Sequence, residues 1–283
     1  MFAPQKQPVV FKNDKDFTVN LLIDEFSKRA WIVDYAYDNA AALMGFIINT
    51  CTGYGLEKII FPAREEHCSD LSSLGFAIEG WIGGYFNGSS AYFLAAYLDE
   101  GRARSVCLSK YREQIRHITR RSRQNPAPLP SGYEFFTPSG RDVPALTGIF
   151  KQVFATYPSP VDQPDYLAAV LGKTALFKAV KHGRNIVSVA AAEVNRSGGN
   201  AEITNCATLL AYRGTGFMLG LIGELEKECW AGGIKCLYSL ARASSYGMNL
   251  VFHRLGYRFG GTLINNCHIS GSYEDMNIWA KYP

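Results

Sequence analysis

Four consecutive residues, Arg213-Gly214-Thr215-Gly216, are where the sequence first suggests chemistry. They stand between a strand-like segment, residues 201–209 (AEITNCATL), and an apolar helical segment, residues 217–231. A glycine turn that opens a helix presents backbone N–H groups with no internal partner. The helix dipole adds a preference for negative charge there. Such a turn is a cradle for a pyrophosphate, and it points to a phosphate-bearing cofactor. The dinucleotide pattern G-x-G-x-x-G is excluded, because Leu219 stands where its third glycine is needed. The nucleotide-triphosphate pattern is excluded because no Gly-Lys-Ser/Thr follows. The bland alternative is an ordinary strand–turn–helix connection.

The run Arg213–Met218 resembles the coenzyme A signature Arg/Gln-x-x-Gly-x-Gly/Ala of the GNAT acyltransferases. The sixth position departs, with Met218 in place of a small residue, so the pyrophosphate would meet a bulkier neighbour. The resemblance implies acetyl-CoA as co-substrate, with Arg213, Gly214, Thr215, Gly216, Phe217 and Met218 at the pyrophosphate. It further implies an oxyanion donor from the backbone near Thr208 or Leu209, and Asn249 or Ser245 on the pantetheine arm. Acyl transfer to an amine needs a neutral nucleophile, and free ε-amines are largely protonated at neutral pH. Glu202, eleven residues before Arg213, is the first candidate base, a position some family members use. Its bland reading is an exposed carboxylate at a strand start. Glu193, Glu274 and Asp275 are rivals for the base or for holding a second ammonium. Strand alternation predicts Glu202, Thr204, Cys206 and Thr208 on one face and Ile203, Asn205, Ala207 and Leu209 on the other. Many GNATs place an acidic tyrosine where this chain has Phe252, which donates no proton; Tyr246 and His253 are near but out of register.

A helix over residues 217–231 ends at Gly232-Gly233. A short buried strand follows at 236–241, a helix at 244–255 closed by Gly256, and strands at 257–267 and 275–282. Upstream are a strand at 133–137, helices at 142–156 and 164–171, a hairpin over 175–181 and 186–195, and the strand at 201–209. This order resembles a complete GNAT domain over residues 133–283: an α/β (α+β) mixed sheet with flanking helices. Residues 124–132 (QNPAPLPSG) read as a proline-rich linker. Residues 1–123 form a weaker echo: a strand at 29–35, a helix at 40–52, a strand at 57–62, a helix at 64–74, then strands at 77–85 and 91–98. Leu74-Gly75-Phe76 matches Leu255-Gly256-Tyr257. The equivalent of the cradle is lost (residues 35–43, YAYDNAAAL), so this degenerate half-unit is expected to wall the acceptor pocket or act structurally rather than bind coenzyme A.

Three stretches carry a closer resemblance, to the β-lysine N-acetyltransferase family of GNAT enzymes. They are residues 84–93 (GYFNGSSAYF), residues 201–216, and residues 260–267 (GGTLINNC) with 273–279 (YEDMNIW). That resemblance implies L-β-lysine as the acceptor and N-ε-acetyl-β-lysine, a compatible solute, as the product; the residues by themselves leave open another small amine as acceptor, or a coenzyme A-binding sensor without catalysis. A zwitterionic acceptor needs a carboxylate clamp. Arg242 is the candidate, with Asn265 and Asn266 as hydrogen-bonding helpers and Asp275 facing an ammonium.

Composition bounds the remaining classes. The chain has 283 residues, 47% hydrophobic and 19% charged, and a net charge of +4, too small to imply nucleic acid. The basic segment 101–123 reads as a solvated helix face that turns Val106, Leu108, Tyr111, Ile115 and Ile118 inward. An electrostatic patch for nucleic acid or membrane is its alternative, disfavoured by Glu113 and the lack of exposed aromatics. Seven cysteines without C-x-x-C spacing read as reduced thiols in a cytoplasmic protein, and the five dispersed histidines offer no metal set. The N-terminus has no apolar signal core, and no apolar run is long enough to span a bilayer. The expected partner is a small-molecule amine, with no metal, nucleic acid or membrane.

Overall fold

A computed structural model describes residues 8–155 and 157–282. Residues 1–7, Thr156 and Pro283 lie outside the described residues, including the expected end of a helix at Thr156 and the start of the chain read for a signal. The N-terminal half holds β1 (Val9–Asn13), β2 (Phe17–Asp24), β3 (Arg29–Tyr37), α1 (Ala40–Gly53), β4 (Lys58–Ala63), α2 (Cys68–Ser73), β5 (Ala77–Phe86), β6 (Ser89–Tyr97) and α3 (Leu108–Thr119). The C-terminal half holds β7 (Tyr133–Phe136), α4 (Val143–Val153), α5 (Pro164–Val170), β8 (Ala175–His182), β9 (Asn185–Asn195) and β10 (Asn200–Thr208). It continues with α6 (Phe217–Ala231), β11 (Cys236–Arg242), α7 (Tyr246–Arg254), β12 (Arg258–Ile269) and β13 (Ser272–Lys281).

The thirteen strands among the described residues form one sheet, in the order β1-β2-β3-β4-β6-β5-β12-β13-β11-β10-β9-β8-β7. From its centre the order runs outward alike on both sides, so β5 matches β12, β6 matches β13, and β3–β4 matches β10–β11. The pairs β3–β4 and β10–β11 are both parallel, and each is paired over only three residues. The two halves thus share one strand order. The elements expected in the first half begin at residue 29 and leave out β1 and β2, whose alternating, partly polar pattern gives no long apolar run.

The centre of the sheet is a close approach. β5 and β12 pair at Gly80 and Gly261, and a Cβ on Gly260 or Gly261 would lie 2.2 or 2.3 Å from backbone oxygens of the opposite strand. Only glycine fits there. Buried charge pins the junction on either side. Lys58 Nζ donates to Glu79 Oε2 and to Ile264 O, both at 2.7 Å. Arg102 donates to Glu57, Ser27 O and Asn265 O at 2.6–2.8 Å. Arg102 was grouped with the solvated basic helix. It instead sits in a short 3-10 turn, 3% exposed, because its three hydrogen-bonding directions match carbonyls and a carboxylate at the junction. Val106 also differs from expectation. It is fully exposed, since α3 begins only at Leu108 and Val106 precedes its apolar face.

The sheet curls so that inner faces of the two halves meet. Ile60, Ile82 and Phe93 share one core with Leu263, Met276 and Ile278. Hairpin tips complete the closure in both directions. Asn87 N–H donates to Gly198 O at 2.7 Å, and Asn200 Nδ2 donates to Tyr85 O at 2.7 Å. The β12–β13 hairpin crosses the other way, where Arg29 Nη1 donates to Asn266 O at 3.1 Å. Helix α1 covers the outer face of the first half, and α6 and α7 cover that of the second. No helix among the described residues is long and apolar enough to cross a membrane.

Candidate active site

The cradle forms because two glycines take left-handed backbone angles, φ +80° at Gly214 and +83° at Gly216, which L side chains avoid. Gly216 is the N-cap of α6 and carries no side chain to satisfy the first amides. A Cβ at either glycine would meet nothing within 4 Å, so the space before these N–H groups is open. Arg213 Nε donates to Thr208 O at 3.3 Å, and Thr215 Oγ1 to Tyr212 O at 2.8 Å, bracing the turn. Met218 and Phe217 are buried in the core under α6. The bulky neighbour expected at Met218 is therefore absent: the helix turns that side chain inward and offers only its backbone. The donor set suits a pyrophosphate.

The same turn in the first half is closed. Asn39 accepts from Ala42 N–H at 3.1 Å, filling the helix start with its own side chain. Tyr35 accepts from Arg64 N–H at 3.0 Å and is hydrogen-bonded to His67 Nδ1 at 2.8 Å, so aromatic packing fills that splay.

Past Glu202 and Tyr238, β10 and β11 diverge and leave their facing edges unpaired. A β-bulge at Asn205, φ +52°, breaks the register of β10 against β9 between Thr204 and Ala207. This overturns the simple alternation. Thr204 and Ala207 share the face of Glu202, whereas Cys206 packs beneath α6 with Ile203, and Thr208 turns to Ser188 at 2.7 Å. The extra residue in the bulge flips every side chain after it. Leu209 N–H, one expected oxyanion donor, is spent on Val187 O at 3.0 Å. Antiparallel alternation then points the Thr208 N–H away from β9, into the splay.

A cavity of about 380 Å³ fills the splay and continues between the halves. Its floor is a row of side chains in register across three strands: Glu193 on β9 faces Glu202 on β10, which faces Tyr238 on β11. Tyr85 of the first half packs against Tyr238 at a tilt of 59°, with ring centroids 5.4 Å apart. Arg29, Trp31 and Val33 form the opposite wall, while Ser245, just before α7, and Met248 and Phe252 on it close the cofactor side. Burial and the adjacent Glu193 push the Glu202 carboxyl up to about 8, with Arg29 and Tyr238 acting the other way. Burial likewise raises Glu193, and Asn205 Nδ2 donates to it at 3.3 Å.

The remaining expected residues divide sharply. Arg242 lines the cavity, and its guanidinium makes none of the described hydrogen bonds or ion pairs. Asn249 is wholly committed. Its Nδ2 donates to Arg242 O and Ser245 O, and its Oδ1 accepts from Asn277 Nδ2 and Trp279 Nε1, all at 2.8 Å. It clamps α7 to the sheet and has no donor left for pantetheine. Asn265 and Asp275 also miss the cavity. Asn265 N–H donates to Asp275 Oδ1 at 2.7 Å, and its side chain donates to Arg102 O and Arg104 O. Ser105 donates to the second Asp275 oxygen. Glu274 accepts from Ser244 at an exposed position. Phe252 is buried, His253 Nε2 is bonded to Arg121 O at 2.8 Å, and Tyr246 is exposed, so none is placed as an acid. Sequence reading missed Tyr238 and Arg29. The first was findable from the parallel register after a cradle helix. The second depends on a hairpin more than two hundred residues away.

No family model matches the chain. N-acetyltransferase YodP of Bacillus subtilis is 36% identical over 277 residues, covering 96% of this chain and 99% of that protein. The β-lysine N(6)-acetyltransferase of Methanosarcina mazei is 33% identical over 245 residues, covering 79% and 90%. That of Methanococcus maripaludis is 27% identical over 260 residues, covering 92% and 94%. Among solved structures, the ribosomal-protein-S18-alanine N-acetyltransferase from Escherichia coli covers 53% of this chain and 93% of its own, at 20% identity and a TM-score of 0.47.

Proposed function

This chain belongs to the GNAT N-acetyltransferases, in the group that holds YodP and the β-lysine N(6)-acetyltransferases, and on that premise we propose that it acetylates the side-chain amine of L-β-lysine. The supporting observation is the charge pattern of one cavity. Two carboxylates, Glu193 and Glu202, stand on its floor and a guanidinium, Arg29, on its opposite wall. A diamino acid carries the complementary charges. In this reading residues 133–283 are the catalytic unit, residues 1–123 supply the acceptor wall, and residues 124–132 join them in a cytoplasmic protein.

The thioester of acetyl-CoA supplies the activated acyl group. Its pyrophosphate is held by the N–H groups from Gly214 to Met218, and its arm lies in the β10–β11 splay. The distal ammonium of the acceptor docks against Glu202, which takes its proton. A carboxyl near 8 is matched to this task, since its proton affinity is close to that of the surroundings it works in. The freed amine attacks the thioester carbonyl, and the Thr208 N–H faces the oxygen on which charge develops. The nitrogen–carbon bond forms, the carbon–sulfur bond breaks, the thiolate departs with the electron pair, and the second proton that the nitrogen sheds passes to that thiolate. Thiols ionise near 8.5, so departure needs no strong acid, in keeping with Phe252 at the tyrosine position. The product keeps a zwitterionic head and a neutral tail, the zero net charge that suits a compatible solute. Mass spectrometry of the product tests the regiochemistry: the reading expects the acetyl group on the distal nitrogen, and acetylation of the β-nitrogen contradicts it.

A further inference from the structure

We infer that Arg29 and Asn266 form the recognition site for the amino-acid head of the acceptor, with Arg29 gripping its carboxylate and Asn266 accepting from its near ammonium. The inference rests on the reading of the acceptor as a diamino acid. It moves the clamp from the catalytic half, where Arg242 was the candidate, to the degenerate half.

Arg29 opens β3, the strand equivalent to β10. Its side chain is buried yet lines the cavity. Two contacts hold it: Nε donates to Asp24 Oδ2 at 2.9 Å, and Nη1 to Asn266 O at 3.1 Å. A guanidinium has five N–H groups. Neither N–H of Nη2 makes any of the described hydrogen bonds, and Nη1 keeps one more. That leaves donors enough for a bidentate hold on a carboxylate. The guanidinium also lies 5.5 Å from the Trp31 ring centroid, which limits its sweep. Arg242, by contrast, has no partner fixing its guanidinium and lies toward α7, on the cofactor side.

Asn266 supplies the second observation. It lines the same cavity, is 1% exposed, and its Oδ1 is buried without a partner. A buried acceptor left unpaired is costly unless a donor reaches it. An ammonium is such a donor. A β-amino acid carries its ammonium two carbons from its carboxylate, so one head group can satisfy both neighbours. The degenerate unit thereby keeps a use for its splay: it has closed its cofactor turn with Asn39 and Tyr35 and turned the strand start to acceptor binding.

The test compares an acceptor with its decarboxylated counterpart. Turnover of L-β-lysine and of 1,4-diaminopentane is measured at saturating acetyl-CoA for the wild type and for Arg29→Gln, Arg29→Lys, Asn266→Ala and Arg242→Gln. The wild type is expected to favour β-lysine by roughly a hundredfold in kcat/KM, as lost charge-assisted hydrogen bonds allow. Arg29→Gln should cut that ratio at least tenfold, mainly through KM for β-lysine. Arg29→Lys keeps a charge beside Asp24 but loses the fork, and should fall between. A purely structural role would lower both substrates together and leave the ratio intact, which overturns the inference. So does a ratio that collapses in Arg242→Gln and not in Arg29→Gln. A wild type inactive on β-lysine contradicts the acceptor reading; the L-lysine and cadaverine pair then decides on Arg29 by the same ratio. A wild type that prefers no carboxylated acceptor overturns both.

Discussion

Replacing Glu202 by Gln removes the proton acceptor while keeping nearly the same shape, and its consequences follow from one titration. The carboxyl is pushed up to about 8 by burial and by Glu193 alongside it. At that value it is ionised in about one molecule in a hundred at pH 6 and in about nine in ten at pH 9. The wild-type kcat/KM should therefore climb about tenfold per pH unit below 8 and level off above it. A stopped or continuous thiol-release assay across pH 6–11 gives the profile. Glu202→Gln should lower the plateau by roughly 10²–10⁴ and abolish the ascending limb. A variant that keeps the limb near 8 and loses less than about tenfold would refute the assignment of Glu202 as base, whatever else it does.

Three further expectations stem from the same geometry. Glu193→Gln removes the like charge that raises Glu202, so the ascending limb should move to lower pH; a shift to higher pH contradicts the through-space account. The folded-state value of Glu202 lies above its ordinary 4.5, so its contribution to stability is present below that value and lost as pH rises toward 8. Melting curves of Glu202→Gln should accordingly overtake those of the wild type in alkaline buffer, with the gap shrinking as the pH is lowered. Asn249→Ala strands the buried donors of Asn277 and Trp279, each costing roughly 1–3 kcal/mol, so Tm should fall by several degrees with little change in KM for acetyl-CoA once the protein is folded.

The cradle was the most legible feature, because its glycines are required locally: positive φ at Gly214 and Gly216 leaves few other choices. The strand and helix order around it was legible for the same reason, through turns and apolar runs. What escaped was set by long-range pairing. The face of Cys206 and Thr208 depends on a single extra residue at Asn205, and no local rule marks that bulge. Asn249 looked like a cofactor contact because its four partners come from three separate segments. Asn265 and Asp275 were drawn toward the substrate by their polarity, yet they belong to the junction with Arg102, which itself was read as solvent-facing. A wall for the second half's cavity was one of two roles expected of the first half, the other being purely structural. The particular residues there depend on how the two half-sheets curl together.

The central claim is that the cradle and the acidic cavity together acetylate L-β-lysine. Thiol release from acetyl-CoA with L-β-lysine, L-α-lysine, spermidine, an aminoglycoside and a lysine-containing peptide tests it most directly. Fast turnover confined to β-lysine is the predicted result. Fast turnover of any of the other amines, with β-lysine left untouched, would contradict it.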